Sequence, residues 1–147
     1  MLVLAFHVGK DRFALPCADV VEVVPRVLLR EVPHAPAHVI GIFTYRGAVV
    51  PVVDLCRLLW KTPCPERLSS RIMLVRVGEG KLLGLLAERV TEAITLEPGG
   101  AAPPSIDIAE APYLGEIYFE GGAMIQLVKV ESLVPEAQRA ALEAPRA

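Results

Sequence analysis

The sequence has no surplus of positive charge. Fifteen Lys and Arg stand against seventeen Asp and Glu in 147 residues, for a formal net charge of −2. A nucleic-acid binder needs clustered Lys and Arg to neutralise phosphates, so that class is disfavoured. Cysteine is scarce as well. Cys17, Cys56 and Cys64 show no C-x-x-C spacing, which argues against a disulfide framework or a zinc motif and favours ordinary buried or loop thiols. No apolar run approaches the roughly 18–20 residues of a membrane span. The apolar start Met1–Phe6 lacks the basic residues and cleavage site of a secretory signal. Catalytic patterns are missing too: there is no G-x-S-x-G serine and no glycine-rich phosphate loop. His34 and His38 have i, i+4 spacing, but Pro36 lies between them and no third metal ligand is in register. These absences lead us to expect a soluble cytoplasmic protein with no enzymatic activity, no cofactor and no metal.

What is present is a succession of short apolar runs rich in Val, Ile and Leu, in a chain that is 53% hydrophobic and carries 13 prolines and 11 glycines. That punctuation disfavours long helices. Period-2 alternation predicts a strand over Leu2–Val8, a turn at Gly9-Lys10-Asp11 and a returning strand over Arg12–Leu15. Further strands are expected at Val20–Val24, Val27–Val32, Ala48–Leu55, Arg71–Val77, Lys81–Ala87, Val90–Leu96, Tyr113–Phe119 and Ala123–Val130. Pro51 removes a ladder donor and predicts an edge or a bulge there. Ala37–Ile40 is readable as one helical turn, and Leu55–Trp60 as a short helix with Asp54 as its N-cap. The tail from Glu131 to Ala147 reads as a marginal helix. The fold class is therefore all-β.

The two halves repeat. Gly9 matches Gly78, Glu22 matches Glu92, Gly41 matches Gly115, and Gly47 matches Gly122, in the same order and within similar strings. The offset grows in small steps, as it does when loops lengthen while strands keep register. About 65 residues alone bury too little surface for a robust fold. We therefore expect two five-stranded barrels sharing one hydrophobic core, with a groove between them. The first would comprise mainly residues 1–62 and the second mainly 68–135, followed by a tail at 136–147.

Two charges sit in apolar surroundings. Glu22 lies among Val20, Val21, Val23 and Val24, and Arg46 between two apolar strands. Each needs a partner or an exit to water, and they would satisfy each other. Two separately exposed side chains are an equally good reading on physics alone.

At Gly41–Leu55 the string GIFTYRGAVVPVVDL resembles the hallmark of the CheW-like family: Gly-Val-x-Asn-Leu-Arg-Gly, then an apolar strand with Pro, ending in Asp-Leu. FHVGKDRFALP, ADVVEV, Val32-Pro33-His34-Ala35-Pro36, LLGLLAERVTEAITL and YLGEIYFEGGAMIQLVKVESLV extend the resemblance over residues 1–135. It departs at Thr44-Tyr45, where the family has Asn-Leu, and at Lys129, where Asp is common. The resemblance implies two SH3-like five-stranded barrels with short helices. It implies a non-catalytic adaptor, recruited to membrane-associated arrays in the cytoplasm. Such an adaptor couples the regulatory domain of a CheA-type histidine kinase to the cytoplasmic tip of a methyl-accepting chemoreceptor, for chemotaxis or a surface-sensing variant. It places a paired Glu and Arg on Glu22 and Arg46, and a receptor-binding groove around Val20, Gly41, Arg46 and Gly47. The kinase-binding face falls on Val49, Val50, Val52 and Asp54. The competing expectation is a β-barrel protein that binds a small ligand or catalyses a reaction in the groove between the barrels.

Overall fold

A computed structural model describes residues 1–78, 80–97 and 111–133, apart from the side chain of Thr91. Among them, the strands are β1 (Leu2–Val8), β2 (Asp11–Pro16), β3 (Val20–Pro25), β4 (Val39–Tyr45), β5 (Ala48–Asp54), β6 (Arg71–Arg76), β7 (Leu82–Thr95), β8 (Leu114–Glu120) and β9 (Ala123–Val128). The helix α1 (Leu55–Trp60) follows β5 directly. The all-β expectation holds.

The strands form two groups of five that share β7. Residues 82–87 of β7 pair with β6, and residues 84–86 also pair with β5. Farther along, β7 pairs with β1. One group therefore runs β3-β6-β7-β5-β4 and the other β7-β1-β2-β9-β8. In the first group, two backbone hydrogen bonds between Arg30 and Ile42 (2.8 and 2.9 Å) tie the chain beyond β3 to β4. The passage of β7 between groups falls at Arg89, whose φ of +49° is left-handed, and opposite a register shift between Ala5 and His7.

Strand pairing runs across the expected division at residues 62 and 68. The hairpin β1–β2 does not join β3, β4 and β5. It joins the end of β7 with β8 and β9, while β6 and the start of β7 join β3, β4 and β5. The repeat itself is obeyed. In each group a strand after a hairpin pairs in parallel with the opposite repeat: β5 with β7, β9 with β2. Each repeat thus lends its first hairpin to the other, which joins two halves too small to bury a core alone.

The exchange explains why β1 is apolar on both sides. Alternate residues of a strand face opposite ways. Val3 and Ala5 pack with Ala14, Leu96, Tyr118 and Ile125 inside one group. Phe6 and Val8 join the larger core that reaches into the other group, together with Val50, Val52, Leu74 and Leu85. Phe6 stacks on Phe13 of β2, with ring centroids 6.2 Å apart.

Other expectations are modified locally. Val27–Val32 is not a strand, and Arg30 alone makes a bridge there; Pro25 and Pro33 bracket the segment and cut its donors. Ala37–Ile40 is a turn closed by Val39 N–H on the Pro36 carbonyl (2.9 Å), and β4 starts at Val39. Lys81–Ala87 and Val90–Leu96 are parts of one long strand. Pro51 lies in a strand flanked on both sides, but its register partner is Ile42, and β5 pairs with β7 only from Val52 onward. The ladder is one-sided where the proline falls. Asp54 does cap α1: its Oδ1 accepts from the N–H of Cys56 (2.9 Å) and of Arg57 (3.3 Å). Where the helix over Glu131–Ala147 was expected, Val130–Leu133 form a short 3-10 turn, and the rest of it, with the 136–147 tail, lies outside the described residues. No helix among the described residues is long and apolar enough to cross a membrane.

Candidate functional site

The hairpin β4–β5 closes on Tyr45 opposite Ala48, with Arg46 and Gly47 as its two turn residues. Both have positive φ, +48° and +82°, because such a turn matches the twist of the flanking strands. Glycine takes that conformation freely. For arginine it costs roughly 1–2 kcal/mol. The return on this cost is the placement of the guanidinium. Arg46 Nη2 lies 3.7 Å from Glu22 Oε1 of β3, and its guanidinium carbon sits 5.2 Å from the Tyr45 ring centroid. The Tyr45 hydroxyl donates to the same Glu22 oxygen. That hydrogen bond, aided by desolvation, raises the Tyr45 pKa above its ordinary value.

Glu22 and Arg46 therefore lie within ion-pair distance, at the surface. Their side chains are 43% and 79% exposed. The reason is local. β3 pairs with β6 alone, and a register shift between Val20 and Glu22 turns the chain there. An exposed pair of this kind contributes about 0–1 kcal/mol to stability. Tyr45 completes the cluster and was not singled out from sequence; its signal was that it occupies a position where the family carries an apolar residue.

The other expected groove residues separate. Val20 is half-buried at the start of β3, two residues from Glu22. Gly41 faces inward. A Cβ there would lie 2.7 Å from the Arg30 carbonyl oxygen and 2.8 Å from Leu29 Cβ, so this glycine lets β4 approach the 29–30 segment. A cleft of about 540 Å³ does lie between the strand groups, but Phe13, Leu58, Leu59, Trp60, Tyr113 and Leu114 provide its apolar lining. Val20, Gly41, Arg46 and Gly47 are not among the residues around it.

Of the residues expected at the kinase-binding face, most lie inside. Val50 and Val52 are fully buried and Asp54 is 1% exposed; only Val49 stands at the surface, at 48%. From Val50 to Asp54 successive residues of β5 are all buried, so its continuous apolar run is that of a strand covered on both faces. Asp54 is engaged within the core, where Oδ2 accepts the Cys64 N–H at 2.9 Å. Sequence reading also missed Phe119 and Met124, register partners on β8 and β9 that are 66% and 61% exposed. The repeat offset is a usable signal here, because it carries Val49 onto Met124.

The description CheW-like domain belongs to the family model that matches residues 2–138. The chain belongs to the CheW-like family. It is 32% identical over 142 residues to the chemotaxis protein CheW of Rhizobium meliloti, covering 94% of this chain and 90% of that one. It is 30% identical over 141 residues to the protein FrzA of Myxococcus xanthus, covering 93% and 87%. Among solved structures it resembles the scaffolding protein TtCheW from Thermoanaerobacter tengcongensis, with a TM-score of 0.79, 28% identity, and coverage of 90% and 86%. Within this CheW-like chain, the Arg46-Gly47 turn is the Arg-Gly of the family hallmark, and it carries the exposed cluster just described.

Proposed function

We propose that this CheW-like protein is a non-catalytic scaffold of a chemosensory system, and that it couples methyl-accepting chemoreceptors to a CheA-type histidine kinase. The family and its chemotaxis relatives support the scaffold role. The observation that carries the finer reading is the Glu22–Tyr45–Arg46 cluster. An arginine is kept in a left-handed turn where glycine is easier, and its charge is held at the surface by an acid and an aromatic ring. A core residue would gain nothing from that arrangement. A recognition residue gains a fixed orientation before its partner arrives.

In this reading the receptor tip docks across Val20, Glu22 and Arg46. The kinase regulatory domain docks on the hairpin surface at Val49, with Val50, Val52 and Asp54 supporting it from the core. Each contact is of the small transient kind, under about 1,200 Å², and gains strength from multivalent assembly. The test is binding of the purified chain to a receptor-tip fragment and a kinase regulatory fragment, separately and together. Arg46→Ala should weaken receptor binding and spare the kinase; Val49→Asp should do the reverse. Failure to bind either fragment, or competition of both for one surface, overturns the coupling role.

A further inference from the structure

The buried acids and the buried thiols of this protein gather in one place. Among the described residues, Asp54 and Glu88 are the buried acidic side chains, and Cys56 and Cys64 are buried while Cys17 is only half-buried. Asp54, Cys56 and Cys64 offer donor atoms that all lie within 4.8 Å of one another. Glu88 Oε2 is 3.7 Å from Cys56 Sγ. The four residues come from the end of β5, from α1, from the segment before β6 and from the middle of β7. None of this is visible in the spacing of the cysteines.

We propose that Asp54, Cys56 and Cys64 form a binding site for a thiophilic divalent cation, with Zn²⁺ as its occupant and Glu88, which lies against Cys56 but outside that group of three, drawn in to complete it. The donor set suits the ion. Zinc takes thiolate sulfur at about 2.3 Å and carboxylate oxygen at about 2.0–2.2 Å in a tetrahedron, which puts neighbouring donors roughly 3.3–3.8 Å apart. The Cys56–Glu88 separation of 3.7 Å already lies in that range. Magnesium and calcium ask for oxygen donors throughout and do not suit two sulfurs. The carboxylates are also held in position, as ligating carboxylates are. Asp54 is fixed by the N–H groups of Cys56 and Cys64, both at 2.9 Å, and Glu88 by the N–H of Gly9 at 3.0 Å. Asp54 Oδ1 is filled, because it also accepts the Arg57 N–H, but Asp54 Oδ2 and Glu88 Oε2 each keep a lone pair beyond these bonds. Buried charges are paired or bind metals. The Arg57 Nε, 3.6 Å from Asp54 Oδ2, offsets one negative charge and a dication two more, which leaves a single net negative charge when both thiols ionise. The ion would pin α1 and the segment before β6 to the point where β7 leaves one strand group for the other.

The site is independent of the adaptor role, and its test uses the metal alone. The full-length chain, stripped with chelator and kept reduced with a phosphine, is titrated with Co²⁺ and then with Zn²⁺. One equivalent of Co²⁺ should give a thiolate-to-cobalt charge-transfer band with tetrahedral visible bands, and Zn²⁺ should abolish both. Cys17→Ser should leave the spectrum unchanged, Glu88→Gln should weaken cobalt binding about 10–100-fold, and the double variant Cys56→Ser, Cys64→Ser should lose the bands. Where the double variant fails to fold by circular dichroism, alkylation of the natural chain decides. Zn²⁺ should slow labelling of Cys56 and Cys64 at least about tenfold and leave Cys17 unchanged. No charge-transfer band, bands that depend on Cys17, or labelling of Cys56 and Cys64 indifferent to Zn²⁺ each overturns the proposal.

Discussion

The hairpins β4–β5 and β8–β9 are copies of one element, and they solve the same turn differently. Each has a two-residue turn with both φ positive: Arg46-Gly47 at +48° and +82°, Gly121-Gly122 at +60° and +79°. The second copy uses glycine twice, which is the unstrained solution. The first keeps an arginine. The flanks differ in step with the turns. Beside Arg46 stand Tyr45 and the acid Glu22 of another strand. Below Gly121-Gly122 the exposed pair is apolar, Phe119 opposite Met124. The same backbone therefore presents a charged, pre-oriented tip in one half and an apolar patch in the other. Repeat symmetry fixes where a surface is, and side chains decide what it recognises.

The sharpest way to break that comparison is at the glycines farther back, Gly41 and Gly115. A Cβ at Gly41 meets backbone at 2.7 Å, at a φ of +154°, whereas at Gly115 the nearest atom is 3.1 Å away and no unusual φ is required. Gly41→Ala should destabilise by about 2–5 kcal/mol, combining overpacking with backbone strain, and Gly115→Ala by clearly less. Equal losses in denaturant unfolding would show that the two bulged strands are equivalent after all. At the turn itself, Gly121→Ala should cost about 1–2 kcal/mol, because it recreates the strain that Arg46 already bears. Arg46→Gly tests the other copy. It relieves that strain and loses only an exposed pair worth about 0–1 kcal/mol. The variant should therefore be as stable as the natural chain or more so, and yet bind the receptor fragment less well. A loss of stability would mean that Arg46 is a structural residue. A double-mutant cycle of Glu22→Gln and Arg46→Gln should give a coupling below about 1 kcal/mol.

The smallest effect expected is one of pH, and it belongs to the group that contains β8 and β9. His7 on β1 has its pKa lowered from 6.5, first by burial, then by Arg89 and Arg12, with Glu88 opposing. Below that value the unfolded chain binds the proton more readily than the folded one. The stability linked to His7 is therefore complete above about pH 6.5 and declines as pH falls through the lowered value. Thermal midpoints between pH 7.5 and 5.5 should fall more steeply in the natural chain than in His7→Gln. Parallel slopes would remove His7 from the balance.

The hallmark residues were legible because their chemistry is local. Arg46-Gly47 reads as a turn, and Asp54 before Leu55 reads as a cap, from neighbours in sequence alone. The burial of Val50, Val52 and Asp54 behind the proposed kinase-binding surface was not legible, for a physical reason. Val49–Val53 is one apolar run, and periodicity cannot say whether such a strand is covered on one face or two. Val50 and Val52 are buried because the larger core, built with Phe6 and Val8 of β1, Leu74 of β6 and Leu85 of β7, packs against them. Exposure of Glu22 was equally hidden: a single acid among valines fits a pair at any depth, and its surface position goes with the register shift of β3 on β6.

By itself, the sequence determined the all-β class, the hairpin punctuation, the helix cap, the internal repeat and the family, because each depends on short-range pattern or ordered motif. Only the tertiary structure decided which hairpin joined which repeat. The pattern of apolar alternation is identical whether β1–β2 completes its own half or the other, since both choices bury the same faces. The outcome is set by long-range pairing, with β1 on β7 and β2 on β9. Long-range pairing of β5 with β7 likewise carries Glu88 to the buried thiols, while β3, paired with β6 alone, holds Glu22 at the surface beside Arg46.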